Sequence, residues 1–267
     1  MVSQRWKERY WHENAGGWRD NLDISPRIQG NKRRLTIVGD SFTAGQGIKD
    51  IEERFVNRLR RSHPEWEVHM IADDGADTDW HLANLQSVFT NGYQADTVLL
   101  IYVLNDISDL IPAWQDLVRT AKADYKNRNW LRRNSYFLDT LSFRFAARRN
   151  NYMPRYYEMM RAAYTGPLWE QQQGRLTTLR DLVIAHGGRL TVVTFPFLNS
   201  LGANSEYAPV HAQLDQFWRS LGVPHLDLLP LYQDLPSPKL TVNRRDAHPN
   251  EYAHALAADA MEKFLRP

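Results

Sequence analysis

No cysteine occurs in the 267 residues, which excludes a disulfide framework and any Cys-x-x-Cys metal or redox centre, and suits cytosol and periplasm alike. No run approaches the eighteen or so apolar residues of a membrane span, so no transmembrane segment is expected. The first ten residues, Met1 to Tyr10, lack the apolar core of a signal peptide, so the compartment stays open: cytoplasmic by default, periplasmic if a leader has been trimmed away. There is no His-Glu-x-x-His and no Asp-rich calcium loop, and neither a metal nor a cofactor is expected. The stretch Gly39-Asp40-Ser41-Phe42-Thr43-Ala44-Gly45-Gln46-Gly47 lacks the Gly-Lys-Ser/Thr ending of a phosphate loop and the spacing of a dinucleotide fingerprint. Nor is there an excess of one charge, with a net of +2 overall, or any internal repeat.

What is present is an ordinary globular composition, 43% apolar and 24% charged, at a length that fits one α/β domain over residues 1–267. Short β-branched or apolar runs predict strands at 34–39, 66–71, 96–103, 189–195 and 223–228. Helical windows fall between them: Glu52 to Arg61, Trp80 to Phe89, Gln173 to Ala185 and Ala208 to Leu221. This alternation predicts a parallel sheet covered on both faces. A last helix starts at Pro249-Asn250, its apolar positions Tyr252, Leu256, Ala260 and Phe264 recurring at helical spacing, and holds His248 in the loop just before it.

The first strand stops at Gly39, and Ser41 follows where strand turns into helix. A serine is a poor nucleophile at neutral pH until an imidazole takes its proton, and the imidazole needs a carboxylate to fix its tautomer. Asp246 and His248, in Arg245-Asp246-Ala247-His248-Pro249-Asn250, have the chemistry for both roles. Read alone, each piece also has a plain structural reading. Gly39-Asp40-Ser41 is ordinary turn chemistry, Gly75 a turn glycine, Asn105 a cap for a helix beginning at Asp106, and Asp246 a cap for the final helix. His63, His69, His81, His186, His211, His225 and His254 fall in helical or strand patterns that suit exposure or a satisfied core position, and His12 precedes the first strand.

Taken in order, Gly39-Asp40-Ser41 with a C-terminal Asp-x-His-Pro-Asn resembles the SGNH (GDSL-type) hydrolase family over most of the chain. The resemblance implies a flavodoxin-like three-layer α/β/α fold with a central five-stranded parallel sheet. It also implies a catalytic triad of Ser41, His248 and Asp246, and an oxyanion hole from Ser41, Gly75 and Asn105, where Gly75 and Asn105 match the glycine and asparagine of the family's second and third blocks. Two positions depart from the pattern. Val103 stands where the family often has glycine two residues before the asparagine, and Arg245 where the acid commonly lies three residues before the histidine, so Asp246, two before it, is the acid of choice.

The stretch from about Pro112 to Trp169, between the third and fourth strands, is longer than a crossover helix needs and reads as a helical insertion or lid. From Arg119 to Arg161 it carries eleven Lys or Arg against three acids, a net of +8 that leaves −6 for the rest of the chain. Aromatic residues are interleaved. The functional reading is a lid that attracts an anionic or sugar-linked ester, with Arg132, Arg133, Arg148 and Arg149 as candidate substrate-binding residues, and the plain reading is a passive insertion with its own core and a solvated basic face. No nucleic-acid recognition motif accompanies these residues, and no nucleic-acid partner is expected. Residues 1–33 read as an N-terminal extension packing on the core, in which Asn14-Ala15-Gly16-Gly17-Trp18-Arg19-Asp20 resembles an Asn-x-x-Gly-aromatic-Arg lead of some bacterial relatives.

The expected activity is hydrolysis of a short acyl ester on a carbohydrate or similar polar alcohol through an acyl-enzyme. An O-acyltransferase would use the same residues. A non-catalytic carbohydrate-binding protein on the same fold is the alternative from another class, since it would need no such trio. The sequence leaves the oligomeric state open.

Overall fold

The computed structural model describes residues 4–127, 129–131, 135, 138, 141, 152–202, 205–244 and 246–266. The chain forms two compact units, Met1–Asp106 with Gln173–Pro267, and Ile107–Gln172.

The first unit is built on five parallel strands, β1 (Arg33–Gly39), β2 (Trp66–Ala72), β3 (Thr97–Val103), β4 (Arg189–Phe195) and β5 (His225–Asp227), in the order β2-β1-β3-β4-β5. This is the flavodoxin-like strand order, with helices flanking the sheet. The five expected strands all form. Six of the seven residues of β1, β3 and β4 are buried in each strand, which is why these segments read as continuous apolar runs rather than alternating ones. β5 is shorter than expected because Pro224, which has no N–H, precedes it, and the Asp227 carboxylate accepts from Leu229 N at 2.9 Å to turn the chain away. The order of the strands reverses between β1 and β3, so a crevice is expected at the carboxyl ends of those two strands.

The helices of this unit are α1 (Gln4–Tyr10), α2 (Ser41–Ala44), α3 (Phe55–Ser62) and α4 (Thr78–Thr90), with others described below. The helix expected from Glu52 does not run through. Asp50 caps a 3₁₀ turn at Ile51–Glu53, Arg54 then takes extended backbone (φ −70°, ψ 148°), and only after it does α3 begin. The interruption turns the Arg54 side chain into the core, where it bonds the carbonyl of Arg19 at 2.7 Å.

The second unit holds α5 (Pro112–Lys126) and α6 (Tyr152–Ala163), tied by the Trp114 and Tyr156 rings at 4.8 Å between centroids. Proline opens α5, where its missing N–H costs nothing. Then α7 (Gly166–Ala185) carries the chain onward to β4. Arg132, Arg133, Arg148 and Arg149 lie outside the described residues, as does Arg245. Among the described residues no helix is long and apolar enough to cross a membrane.

The chain continues through α8 (Ala208–Ser220), α9 (Leu229–Tyr232) and α10 (Ser237–Leu240) to a two-stranded antiparallel pair, β6 (Thr241–Asn243) and β7 (Asp246–Pro249), and ends in α11 (Glu251–Leu265), which packs on α3. His248 therefore stands in a strand, not in the loop expected for it.

Candidate active site

Gly39 ends β1 because nothing larger fits: a Cβ there would lie 2.1 Å from Thr43 Oγ1 and 3.1 Å from Ile101 Cβ, so α2 folds directly over the end of the strand. Asp40 is the cap of α2, its carboxylate accepting from Phe42 N at 2.8 Å, and Ser41 is the first helical residue. Ser41 is only 6% exposed, so the hydroxyl is more enclosed than a turn serine suggests. Gly45 ends α2 in the left-handed region at φ 73°.

The histidine arrives from the far end of the chain. A Cβ on Gly47, just past α2, would meet Val242 Cγ2 at 2.4 Å, which shows how closely β6 rests on that loop. β7 pairs with β6, Asn243 opposite Asp246 and Thr241 opposite Pro249. Asn250 then joins hairpin to helix: its oxygen caps α11 at Ala253 N (3.0 Å), while its nitrogen donates to Lys239 O (2.9 Å) and Thr241 O (3.2 Å). Thus Asn250, not Asp246, caps the final helix. Phe42 packs edge-on against the His248 ring at 5.4 Å.

So mounted, His248 Nε2 stands 2.9 Å from Ser41 Oγ, and His248 Nδ1 stands 2.5 Å from Asp246 Oδ1. Burial raises the Asp246 carboxyl, but the hydrogen bond and charge of His248 outweigh it and hold the group below the ordinary carboxylate range. An ionised Asp246 keeps the imidazole proton on Nδ1, which leaves Nε2 to accept from the serine O–H.

Asn105 follows β3, and its Nδ2 donates to Asp40 Oδ2 at 3.4 Å. No helix begins at Asp106; the next turn is a 3₁₀ turn over Ser108–Leu110 with Ile107 at its start. Asp40 is fully buried, and burial raises it to about 6 against the opposing pull of Phe42 N–H, the His248 charge and Asn105. Its carboxyl is the member of the site that sequence reading left without a role. The cap signature of Asp before a short helix was its only signal.

Gly75 sits in the turn after β2 at φ 78°, and comes to the same edge of the sheet because Ala72 pairs with Gly39 in the register of β2 on β1. Neighbouring Asp74 is ion-paired to Lys7 at 2.9 Å, and the Gln46 amide nitrogen, oriented toward it, donates at 2.7 Å. Ser41, His248 and Asp246 are thus joined by hydrogen bonds, Asn105 reaches Asp40 next to Ser41, and the register of β2 on β1 brings the turn of Gly75 to the same edge.

The remaining described histidines belong elsewhere. Burial pushes His69 to about 4 and His81 and His254 to about 3, so they are neutral core groups. His211 pairs with Asp227 at 2.8 Å, and His225 lies between Asp215 (3.2 Å) and Thr194 Oγ1 (2.9 Å). Among the described residues no group of three or more His, Asp or Glu is placed to hold a metal ion.

Neither the protein-family models nor the curated proteins contain a match to this sequence. Solved structures do match. TesA superposes with a TM-score of 0.55 at 14% identity, covering 88% of this chain and 99% of its own. A lipolytic G-D-S-L family member from Veillonella parvula gives 0.52 at 13%, covering 87% and 98%. A G-D-S-L family protein from Desulfitobacterium hafniense gives 0.54 at 10%, covering 88% and 100%. The chain has the fold of these proteins.

Proposed function

We propose that the protein is a serine ester hydrolase of the SGNH type that cleaves a short acyl ester on a carbohydrate or similar polar alcohol. The observation that carries this reading is the line Ser41 Oγ, His248 Nε2, His248 Nδ1, Asp246 Oδ1, with spacings of 2.9 and 2.5 Å at its two hydrogen bonds. A hydroxyl, an imidazole and a carboxylate in that order make a nucleophile, a general base and the group that orients the base.

Ser41 Oγ attacks the acyl carbonyl while its proton passes to His248 Nε2, and Asp246 steadies the imidazolium. The charge on the carbonyl oxygen is met by Ser41 N–H, Gly75 N–H and Asn105 Nδ2, each such donor contributing roughly 3 kcal/mol to the transition state. The imidazolium gives its proton to the leaving alcohol, and an acyl-enzyme remains. Water then attacks the acyl group, its proton going to Nε2, and Ser41 recovers a proton as the acid leaves. The carbohydrate preference rests on Asp246 lying two residues before His248, a spacing like that of relatives acting on polysaccharide acetyl groups. The excess charge of +8 over Arg119 to Arg161 favours an anionic ester within that class.

The test is intact-mass analysis after a fluorophosphonate probe, with Ser41→Ala as control, followed by a panel of acyl esters with acceptor sugars present. One adduct on the native protein and none on the variant is the expected result. No adduct on the native protein would favour a binding protein on this fold, and acyl transfer to sugar exceeding release to water would favour an O-acyltransferase.

A further inference from the structure

We propose that Arg19 is a positioning residue that holds the nucleophile turn from behind, and that the N-terminal segment therefore belongs to the working part of the enzyme. The inference rests on the esterase reading of Ser41.

Helix α2 is one turn long, too short to satisfy its own carbonyls, and something else must do so. Arg19 Nη1 donates to Ala44 O at 3.0 Å and closely to Gly45 O, and Nη2 donates to Ile48 O at 2.6 Å. Nε and Nη2 also donate to Tyr10 O, at 3.1 and 2.9 Å. A single guanidinium thus ties the carbonyl end of the turn that starts at Ser41 to the end of α1. Trp6 and Trp11 lie against it, with centroids 5.0 and 5.4 Å from Cζ. Arg54 reinforces the arrangement, donating to Ala44 O at 3.3 Å and to the backbone carbonyl of Arg19 at 2.7 Å.

Both arginines are wholly buried, and burial lowers Arg19 to about 10 and Arg54 to about 9, so each stays charged at neutral pH. Asp20 is the neighbouring buried carboxylate, bonded to Arg60 at 2.7 and 2.6 Å and lying 3.7 Å from Arg54. Burying cations beyond their counter-charge is unfavourable unless their donors are used, and here every donor group of Arg19 meets a backbone carbonyl: Nη1 those of Ala44 and Gly45 at the end of α2, Nε that of Tyr10, and Nη2 those of Tyr10 and Ile48.

The N-terminal motif supplies the geometry. The Asn14 side-chain oxygen accepts from Gly16 N and Trp18 N, both at 3.0 Å, Gly17 takes the left-handed conformation at φ 80°, and Trp18 packs edge-on against Trp80 at 5.6 Å. That turn delivers Arg19 and Asp20 into the interior. The Lys7 to Asp74 ion pair makes a second, exposed tie from the same segment to the turn that carries Gly75. As an exposed pair it is the weaker of the two.

Arg19→Met keeps the bulk and removes the donors. With 4-nitrophenyl acetate we expect kcat to fall at least tenfold with KM within about twofold, and fluorophosphonate labelling of Ser41 to slow by the same factor. Arg34→Met is the matched control. Arg34 is equally buried but sits at the amino end of β1, bonded to Ser25 O, Pro26 O and Gln94 O, and its loss should lower the melting temperature while leaving kcat within twofold. Should Arg19→Met not fold, Arg19→Lys serves instead: it keeps the charge, loses the fork, and should show a smaller fall in kcat at unchanged KM. Arg19→Ala with millimolar methylguanidinium should regain labelling rate. Wild-type kcat and labelling in a folded Arg19 variant, or an equal fall in Arg34→Met, would overturn the inference. Absence of labelling in the native protein would instead remove the esterase reading, and the inference with it.

Discussion

His248 Nε2 meets Ser41 Oγ at 2.9 Å across 207 residues of sequence, and Asp246 reaches the other side of the same ring. Asp246→Asn leaves the shape but cannot fix the imidazole proton on Nδ1, so kcat/KM for a short ester should fall roughly a thousandfold or more. Because His248 holds the carboxyl below its ordinary value of 3.8, the stabilisation from this pair is present above that value and lost as pH falls through the folded value. The variant should therefore melt below the native protein at pH 7, and the gap should close on acidification. An unchanged rate in a folded Asp246→Asn protein would remove Asp246 from the mechanism.

Asp40 predicts the opposite sign. Its folded value of about 6 lies above the ordinary 3.8, so the stability it contributes is present below 3.8 and lost as pH rises through about 6. Asn at this position keeps an oxygen for Phe42 N but carries no charge to bury. Relative to the native protein, Asp40→Asn should gain stability between pH 4 and pH 8, by an amount on the order of 3 kcal/mol. Melting curves across that range decide it: a constant difference would mean that Asp40 does not titrate there.

Much of this was legible in the sequence, for identifiable reasons. The central strands announce themselves because a parallel sheet covered on both faces asks for continuous apolar runs, as in Val98 to Val103. Ser41 and His248 were legible because their chemistry is specific and their flanking residues resemble a known family. The hairpin that carries His248 was not, since β6 and β7 are three and four residues long and show no periodicity. Nor was the break at Arg54: helical periodicity over Glu52 to Arg61 does not reveal that one side chain is drawn inward by carbonyls from residues 19 and 44. The raised value of Asp40 depends on complete burial, which a tripeptide does not encode.

Two glycines separate backbone strain from contact. Gly45 and Gly92 share left-handed values of φ, 73° and 79°, but a Cβ on Gly45 would lie 2.4 Å from Arg54 Cδ whereas Gly92 has open space. Gly92→Ala should cost only the conformational term, about 1–2 kcal/mol. Gly45→Ala should cost more and also slow Ser41 labelling, because Arg54 must move away from the nucleophile turn. Equal melting temperatures for the two variants would show that the Arg54 contact is soft.

The charge asymmetry of the chain makes the last prediction. A stretch of net +8 should raise the encounter rate of negatively charged esters, and the effect should fade as salt shortens the Debye length to about 8 Å at physiological strength and about 3 Å at 1 M. Replacing Arg132, Arg133, Arg148 and Arg149 together by glutamine halves that charge. For an anionic acyl ester at low salt, KM should rise several-fold, and the difference from the native protein should vanish toward 1 M salt. For 4-nitrophenyl acetate, which carries no charge, kcat/KM should change by less than about twofold, because Ser41, His248 and Asp246 are untouched. Equal losses on both esters in a folded protein would mean that the segment positions the catalytic groups. No change on either would leave the four arginines as a solvated face and remove the electrostatic argument for an anionic substrate.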